Sequence, residues 1–342
     1  MCSRVQFSLA MVVCAAAAVV GQGQYTKVGE IPVGGGGGFD YLTVDSAAKR
    51  LYVSHNPEVV VIDTGTNTVV GKIADTPGVH GIAVGADGKL YTSNGREDKV
   101  SVVDAKTLQT LSKIETGKNP DAITYDPKKK EVYAWNHTGK SASVIDTATG
   151  KVTTTIPLSG VAETGGVDGD RAFVNIEDKD SIDVIDTNKH EVIAHWPVAP
   201  ADSPTGMAVD AENHRIFVGG GPELVMIDDT TGKVVAHVPI CTGTDATGYD
   251  PSTKLVFVSC SDGKVTIAHV DGPDKLSVTQ TLATSRGSRT IAVDPATHRL
   301  YLAAVSYQPP DPNAPPPAAG QRAARPTPIP DSFKVIVFGP GK

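Results

Sequence analysis

Short apolar segments alternate with polar turns along almost the whole chain, and their order repeats. The first recurring landmark is an apolar segment that closes on a turn, and its closing residues are spaced 40 to 44 positions apart. They are Asp45, Gly85, Asp126, Asp168, Asp210, Asp250 and Asp294. A period of this length is typical of repeat architectures, so the repeat has to be recognised before any single element is assigned.

Two further landmarks follow in fixed order. The second is a β-rich dipeptide: Tyr52-Val53, Tyr91-Thr92, Tyr133-Ala134, Phe173-Val174, Phe217-Val218, Phe257-Val258 and Tyr301-Leu302. The third is an apolar segment that runs into an aspartate turn, as in residues 61–64, and most copies add a fourth apolar segment, as in residues 233–240. We expect the turn aspartates, such as Asp63 and Asp146, to cap backbone N–H groups rather than to act in catalysis.

Four short strands per unit, repeated seven times, predict an all-β fold. Each unit would be a four-stranded antiparallel blade, and blades must stack around an axis because one sheet cannot bury both of its faces. The sequence therefore predicts a seven-bladed β-propeller that occupies residues 22–342 as a single domain. The 35 glycines and 24 prolines agree with a chain of many short strands and turns.

The two ends of the repeat predict how the ring closes. The seventh unit stops after its third strand, at residues 334–338, whereas residues 26–33 precede the first unit and resemble fourth strands such as residues 233–240. We therefore expect the N-terminal strand to complete the last blade, which leaves no exposed sheet edge between the chain ends.

The repeat also resembles a known family. The segments Tyr91-Thr92-Ser93-Asn94 and Tyr52-Val53-Ser54-His55 are similar to the Tyr-Val-Thr-Asn motif of the bacterial YVTN-type seven-bladed propellers. The resemblance covers essentially residues 25–342 and implies the propeller fold. It implies no single activity, because that family includes exported surface-layer, periplasmic and lactonase-like proteins.

Charge and the N-terminal segment narrow the class of protein. The 31 Lys and Arg against 38 Asp and Glu give a formal net charge of −7, which argues against a general nucleic-acid binder. Residues 1–21 combine Arg4, an apolar run and a small-residue exit, which predicts a cleaved signal peptide and a periplasmic or secreted protein without a membrane span. We expect a monomer.

The predicted export determines how the cysteines are interpreted. Cys2 and Cys14 would leave with the signal peptide, so the exported chain keeps only Cys241 and Cys260. An oxidising compartment favours a disulfide between them. The repeat places both on the face of the propeller that carries the loops between blades.

That face is also where propellers usually bind ligands, and the repeat identifies what lies there. The residue at the entry to each innermost strand is here called the rim residue. The rim residues are Asp40, His80, Asp121, Glu163, Thr205, Asp245 and Arg289. The loops after the second strands add His55, Trp135 and His137. A wet channel mouth would explain polar residues in general, but six ionisable side chains in seven aligned positions exceed what repetition of structure requires.

Two functions from different classes fit this pattern. The first is a binding or interaction platform for a small molecule or protein, with Asp40, His55, Asp121, Trp135, Thr205, Asp245 and Arg289 at the channel mouth. The second is a metal-assisted, lactonase-like hydrolase or lyase, with His80, His137 and Glu163 as catalytic groups. A divalent metal ion is the only cofactor that we consider; its ligands would be His80, His137, Asp121 and Glu163, since imidazole and carboxylate both donate lone pairs to such ions.

One insertion interrupts the period. Residues 306–332 lie between the second and third strands of the last blade and are rich in proline, which favours extended polyproline conformation. With Arg322 and Arg325 facing an acidic mouth, this segment would act as a lid or docking arm; the alternative is a disordered loop.

Overall fold

The structure is a computed structural model that describes residues 23–36, 38–309 and 327–341. In this part of the chain, strands β1 to β28 form seven antiparallel sheets of four strands each. The predicted seven-bladed propeller is therefore confirmed. The predicted signal peptide, residues 1–21, lies outside the described residues, as does the middle of the proline-rich insertion with Arg322 and Arg325.

The strands follow the chain blade by blade, except for β1 (Tyr25–Pro32), which precedes blade one. Blade one contains β2 (Phe39–Asp45), β3 (Arg50–His55), β4 (Glu58–Asp63) and β5 (Thr68–Ile73). Blade two contains β6 (Val79–Val84), β7 (Lys89–Asn94), β8 (Lys99–Asp104) and β9 (Thr110–Glu115). Blade three contains β10 (Pro120–Asp126), β11 (Glu131–Asn136), β12 (Ser141–Asp146) and β13 (Lys151–Pro157).

The remaining blades repeat this order. Blade four contains β14 (Ala162–Asp168), β15 (Arg171–Ile176), β16 (Ser181–Asp186) and β17 (Glu191–Pro197). Blade five contains β18 (Pro204–Asp210), β19 (Arg215–Gly220), β20 (Glu223–Asp228) and β21 (Val234–Pro239). Blade six contains β22 (Thr244–Asp250), β23 (Leu255–Cys260), β24 (Lys264–Gly272) and β25 (Lys275–Ala283). Blade seven contains β26 (Ile291–Asp294), β27 (Arg299–Ala304), β28 (Lys334–Pro340) and β1.

Helical structure is almost absent from the described ranges. The one helical segment there is a 3₁₀ turn, Glu177–Lys179. No helix in those ranges has the length and apolar character needed to cross a membrane.

The apolar landmarks of the sequence form the contacts between blades. The aromatic residue of each β-rich dipeptide is at most 1% exposed. Tyr52, for example, packs with Val59 of its own blade and with Ile82 and Leu90 of blade two. Burial of such side chains between neighbouring sheets is the main favourable contribution to folding, because it removes large apolar surfaces from water.

The polar landmarks form the turns. Each hairpin between the first two strands places a residue in the left-handed region one or two positions before the second strand, which is where glycine, or a residue that tolerates positive φ, is needed. These residues are Lys49, Gly88, Lys130, Gly169, His214, Lys254 and His298. On the next hairpin, Asp63 accepts hydrogen bonds from the N–H groups of Gly65 and Thr66, both at 2.9 Å, which confirms the predicted capping role.

The N-terminal strand closes the ring. Strand β1 pairs antiparallel with β28, with Tyr25 opposite Pro340 and Pro32 opposite Lys334. Tyr25 also exchanges two hydrogen bonds of 2.8 Å with the side-chain amide of Gln280 in blade six. The expected closure is therefore confirmed, and β1 contacts the neighbouring blade as well as its own.

Truncation of Ile31 tests how much this closure contributes. Ile31 is 1% exposed in β1, so we expect Ile31→Ala to lower the free energy of unfolding by about 2–5 kcal/mol. Val28 lies in the same strand and is 52% exposed, so Val28→Ala is the matched control and should change stability by about 0.5 kcal/mol at most. Urea unfolding of both variants measures the difference; equal effects would show that β1 is dispensable for the core.

The cysteine pair forms the expected disulfide. Cys241 and Cys260 are joined with their Cα atoms 5.8 Å apart, and both are buried. Cys260 pairs with Thr244 at the start of the innermost strand of blade six. The disulfide therefore fixes the connection between blades five and six beside the rim residue Asp245.

Removing the disulfide should cost stability. We expect the double variant Cys241→Ala/Cys260→Ala to lose about 2–4 kcal/mol of unfolding free energy, because its unfolded chain is less constrained. Alkylation of the unfolded wild-type protein followed by mass spectrometry checks the pairing directly. Detection of two free thiols in protein recovered from an oxidising compartment would contradict it.

Candidate functional site

The rim residues lie at one end of a closed ring of innermost strands. Each innermost strand contacts the next one around the axis, and β26 contacts β2. In blades one to six, the pairing between the first and second strands shifts register at the rim residue or beside it, as between Phe39 and Leu42 in blade one. Such β-bulges redirect side chains. The same local irregularity therefore recurs where the rim side chains leave the sheets.

Hydroxyl groups hold the backbone of the rim in place. Ser54 Oγ accepts a hydrogen bond of 2.8 Å from the N–H of Asp40, and Thr290 Oγ1 donates a hydrogen bond of 2.7 Å to the carbonyl oxygen of Asp40. Ser93 and Ser259 donate in the same way to the carbonyl oxygens of Asp121 and Arg289. Because donor and acceptor often belong to neighbouring blades, these bonds fix the blades and the rim together.

The first cluster of the rim joins blades one to three. His80 Nδ1 lies 2.7 Å from Asp40 Oδ2 and 3.5 Å from Asp121 Oδ1. All three side chains are partly buried, with exposed fractions of 13 to 28%. Burial acts to lower the pKa of His80, but the hydrogen bond to Asp40 and the charge of Asp121 raise it above its usual value.

The second cluster shares Asp121 with the first. His137 Nδ1 lies 3.1 Å from Glu163 Oε1 and 3.7 Å from Asp121 Oδ2. The hydrogen bond to Glu163 raises the pKa of His137 to about 9. Burial raises the pKa of Asp121 to about 7, although both histidines act to lower it. The two clusters thus hold two imidazoles and three carboxyl groups in contact, with Asp121 between the imidazoles.

Two functional candidates escaped the sequence analysis. Tyr41 lines a central cavity of about 170 Å³ below the rim, and its hydroxyl lies 3.4 Å from Glu163 Oε2 across the channel. Burial, and then the charges of Asp121 and Glu163, raise its pKa well above the usual range. Glu177 also adjoins Glu163, and burial followed by the Glu163 charge raises its pKa.

An alignment of the repeats would have indicated both Tyr41 and Glu177. The residue after the rim residue is small in the other blades, so an aromatic residue at position 41 is an exception. Glu177 directly follows the second strand of blade four, as His137 follows that of blade three. Aligning these two positions across all blades would have placed both residues at the channel.

The rest of the ring contains a third charged contact. Arg289 Nε lies 3.4 Å from Asp245 Oδ2, between blades six and seven. Burial raises the pKa of Asp245 to about 8, although Arg289 acts to lower it. Thr205, the rim residue of blade five, is uncharged and donates to the carbonyl oxygen of Thr244 at 3.1 Å.

Two predicted site residues lie apart from these clusters. Trp135 is fully buried between blades three and four, and its indole N–H donates to Thr124 Oγ1 at 2.9 Å. His55 is 5% exposed and stacks on Phe333 with ring centroids 4.5 Å apart. Neither side chain offers a surface at the channel mouth, so the structure places them in the packing around the site and not at the rim.

A cluster of the same residue types lies at the opposite end of the blades. His214 Nδ1 lies 3.0 Å from Asp168 Oδ2 and 3.5 Å from Asp229 Oδ1. The equivalent turn residue of blade seven, His298, contacts Asp250 at 2.7 Å in the same way. The repetition shows that this contact links consecutive blades, so it is structural and provides a natural control for the rim.

The His137–Glu163 pair predicts a pH dependence of stability. The pKa of His137 is raised to about 9 in the folded protein from 6.5. The folded state therefore binds this proton more tightly, so the pair stabilises the fold fully below pH 6.5 and the contribution is lost as the pH rises towards 9.

Replacing the carboxylate tests this linkage. We expect Glu163→Gln to move the NMR titration of His137 towards its usual pKa and to reduce the loss of stability between neutral and alkaline pH. Glu191→Gln removes an exposed carboxylate of β17 and is the control. A His137 titration that is the same in both variants would contradict the assignment.

Comparison with known proteins supports the fold and indicates no activity. No family model matches the chain, so membership of the YVTN-type family stays a prediction. The uncharacterized protein YncE of Salmonella typhi is 27% identical over 161 residues, and that of Salmonella typhimurium is 26% identical over the same length. Each match covers 44% of this chain and 45% of the relative, so the match extends over less than half the length of these proteins.

Solved structures extend the similarity over most of the chain. A chain of the Kuenenia stuttgartiensis hydrazine synthase superposes with a TM-score of 0.70 at 19% identity, covering 78% of this chain and 92% of its own. A chain of a mitotic checkpoint complex superposes with a TM-score of 0.73 at 14% identity, covering 89% of this chain and 96% of its own. At these identities the similarity shows the propeller fold alone.

Proposed function

We propose that the protein is an exported ligand-binding propeller whose site is the channel mouth, and that a divalent cation held by the rim takes part in binding. The cation would be bound by Asp121 together with His80 and Asp40, or with His137 and Glu163. In each set the possible ligand atoms lie within 4.8 Å of one another. Imidazole and carboxylate ligands suit ions such as Zn²⁺.

The environment of Asp121 is the observation that carries this proposal. Its Oδ1 atom is buried and accepts no hydrogen bond from the described residues, although two imidazoles lie within 4 Å of the carboxyl group. A buried carboxyl oxygen without a partner is costly, because it loses its hydration without replacement. A cation between the histidines and Asp121 would supply that missing interaction.

The fold and the disulfide support the remaining parts of the proposal. Propellers of similar fold occur in assemblies such as a mitotic checkpoint complex, which fits a binding role. The Cys241–Cys260 disulfide fits an oxidising compartment, and therefore export.

A hydrolase or lyase is the second candidate, and one observation favours it. A carboxyl group with a pKa of about 7, as for Asp121, exchanges protons readily near neutral pH and suits general acid–base catalysis. Beside a cation, it could serve a lactonase-like reaction in which His80 or His137 acts as the base or as a ligand.

A zinc titration tests the proposal. We expect EDTA-treated wild-type protein to bind Zn²⁺ saturably by calorimetry, and Asp121→Asn to weaken the affinity at least tenfold, since the amide keeps the size of the side chain but loses its charge. His214→Ala changes the cluster at the opposite end of the blades and should leave the affinity within about twofold.

The zinc titration can distinguish loss of the cation site from loss of the fold. Circular dichroism melting of each variant establishes that the fold is retained. Equal zinc affinities in the wild-type and Asp121→Asn proteins, or no saturable binding, would overturn the proposed cation site. A larger loss from His214→Ala than from Asp121→Asn would transfer the site to the other end of the propeller.

A further inference from the structure

Arg289 differs from the other rim residues in its charge and exposure. It is the one Lys or Arg among the seven rim positions, and its side chain is 45% exposed, whereas Asp40, Asp121 and Glu163 are 13 to 18% exposed. It lies in blade seven next to Asp40 of blade one, because Thr290 donates to the Asp40 carbonyl oxygen. Arg289 therefore stands at the edge of the first cluster and within reach of solvent.

The guanidinium group is not satisfied by its acidic neighbour. Arg289 Nε lies 3.4 Å from Asp245 Oδ2, and that oxygen accepts no hydrogen bond from the described residues. Within the described ranges, Asp245 is the only contact of the guanidinium that has the distance of an ion pair. A guanidinium group carries several N–H donors in a planar fork that matches oxyanions, and none of the Arg289 donors forms a hydrogen bond with another described residue.

Other arginines of the chain show what a structural role looks like. Arg171 donates to the carboxylate of Asp229 at 3.1 Å and also to its backbone carbonyl, and Asp229 is fully buried. Arg50 donates to Asp63 on the neighbouring strand of its own blade. These arginines make hydrogen bonds that fix the fold, whereas among the described residues the Arg289 guanidinium makes a single ion-pair contact, of 3.4 Å with Asp245, and the side chain is 45% exposed.

The backbone of Arg289 is nevertheless fixed. Ser259 of blade six donates to its carbonyl oxygen, and its neighbours Ser288 and Thr290 are fully buried. A charged side chain on such a rigid base is suited to recognise a ligand, because little conformational freedom of the main chain is lost on binding.

We propose that Arg289 binds the carboxylate or phosphate group of an anionic ligand, and that the rim cation binds the same ligand from the side of Asp40 and Asp121. This inference rests on the proposed function, because without a cation the surrounding carboxylates would repel an anion. Asp40, Asp121, Glu163 and Asp245 all contribute to that repulsion. Binding of the anion should therefore depend on prior binding of the cation.

Malonate and methylphosphonate serve as probes of the two oxyanion classes. Calorimetry of the zinc-loaded full-length protein should show saturable binding of at least one probe. We expect Arg289→Gln to weaken that binding at least tenfold and to change the zinc affinity by no more than about threefold. Arg289→Lys keeps the charge but loses the fork and should restore part of the affinity.

A substitution at Asp245, the ion-pair partner of Arg289, gives a result that a loss of folding cannot produce. Above pH 8, where Asp245 is ionised, Asp245→Asn removes the charge that competes for Arg289, so we expect it to strengthen probe binding there while Arg289→Gln weakens it. Omitting zinc should abolish binding of both probes. The probe that binds more tightly distinguishes a carboxylate ligand from a phosphate ligand.

The results separate this inference from the proposed function. If zinc binds but neither probe does, or if Arg289→Gln binds the probes as the wild-type protein does, the role of Arg289 is overturned and the cation site stands. If zinc itself does not bind, the proposed function is overturned and this inference with it.

Discussion

Closure of the ring is the constraint on which the rest of the structure depends. The seven sheets bury their apolar faces only against each other, and the last sheet is complete only when β1 adds its edge to β28. Hydroxyl groups near the rim then donate to carbonyl oxygens of the next blade, as Thr290 does to Asp40. Residues 250 positions apart in sequence thereby become neighbours at one rim. No local interaction could place them there.

The same constraint explains how so many acidic groups can be tolerated together. Asp40, Asp121, Glu163 and Asp245 repel one another, and their burial raises the cost of keeping them charged. The backbone bonds of the rim resist the separation that this repulsion favours. Burial, together with the charges of the neighbouring carboxylates, raises the pKa of Asp121 to about 7 and that of Asp245 to about 8, so partial protonation reduces the repulsion. The fold thus stores unfavourable electrostatic energy at the mouth, where a cationic group or a metal ion would relieve it.

The sequence sufficed for the architecture because each blade repeats the same pattern of apolar segments and turns. The sequence also located the main-chain positions of the rim, since Asp40, His80, Asp121 and Glu163 occupy equivalent bulges. It could not predict the direction in which a side chain points. Trp135 occupies the repeat position of Ser54 and Ser93, yet it extends into the space left by Gly165 of blade four, where a Cβ atom would lie 2.7 Å from the indole. Such complementarity between two blades is invisible to an alignment of single repeats.

Comparison of the two ends of the propeller shows where chemistry has to be sought in a repeat protein. At one end, His214 and His298 make equivalent contacts with Asp168 and Asp250, so each contact is explained by the blade unit itself. At the rim, the two imidazoles come from different positions of the repeat, one on an innermost strand and one after a second strand, and they converge on a single carboxyl group. A contact that recurs with the period can be attributed to folding. The convergence on Asp121 does not recur in the described blades, so the repeating blade unit does not explain it.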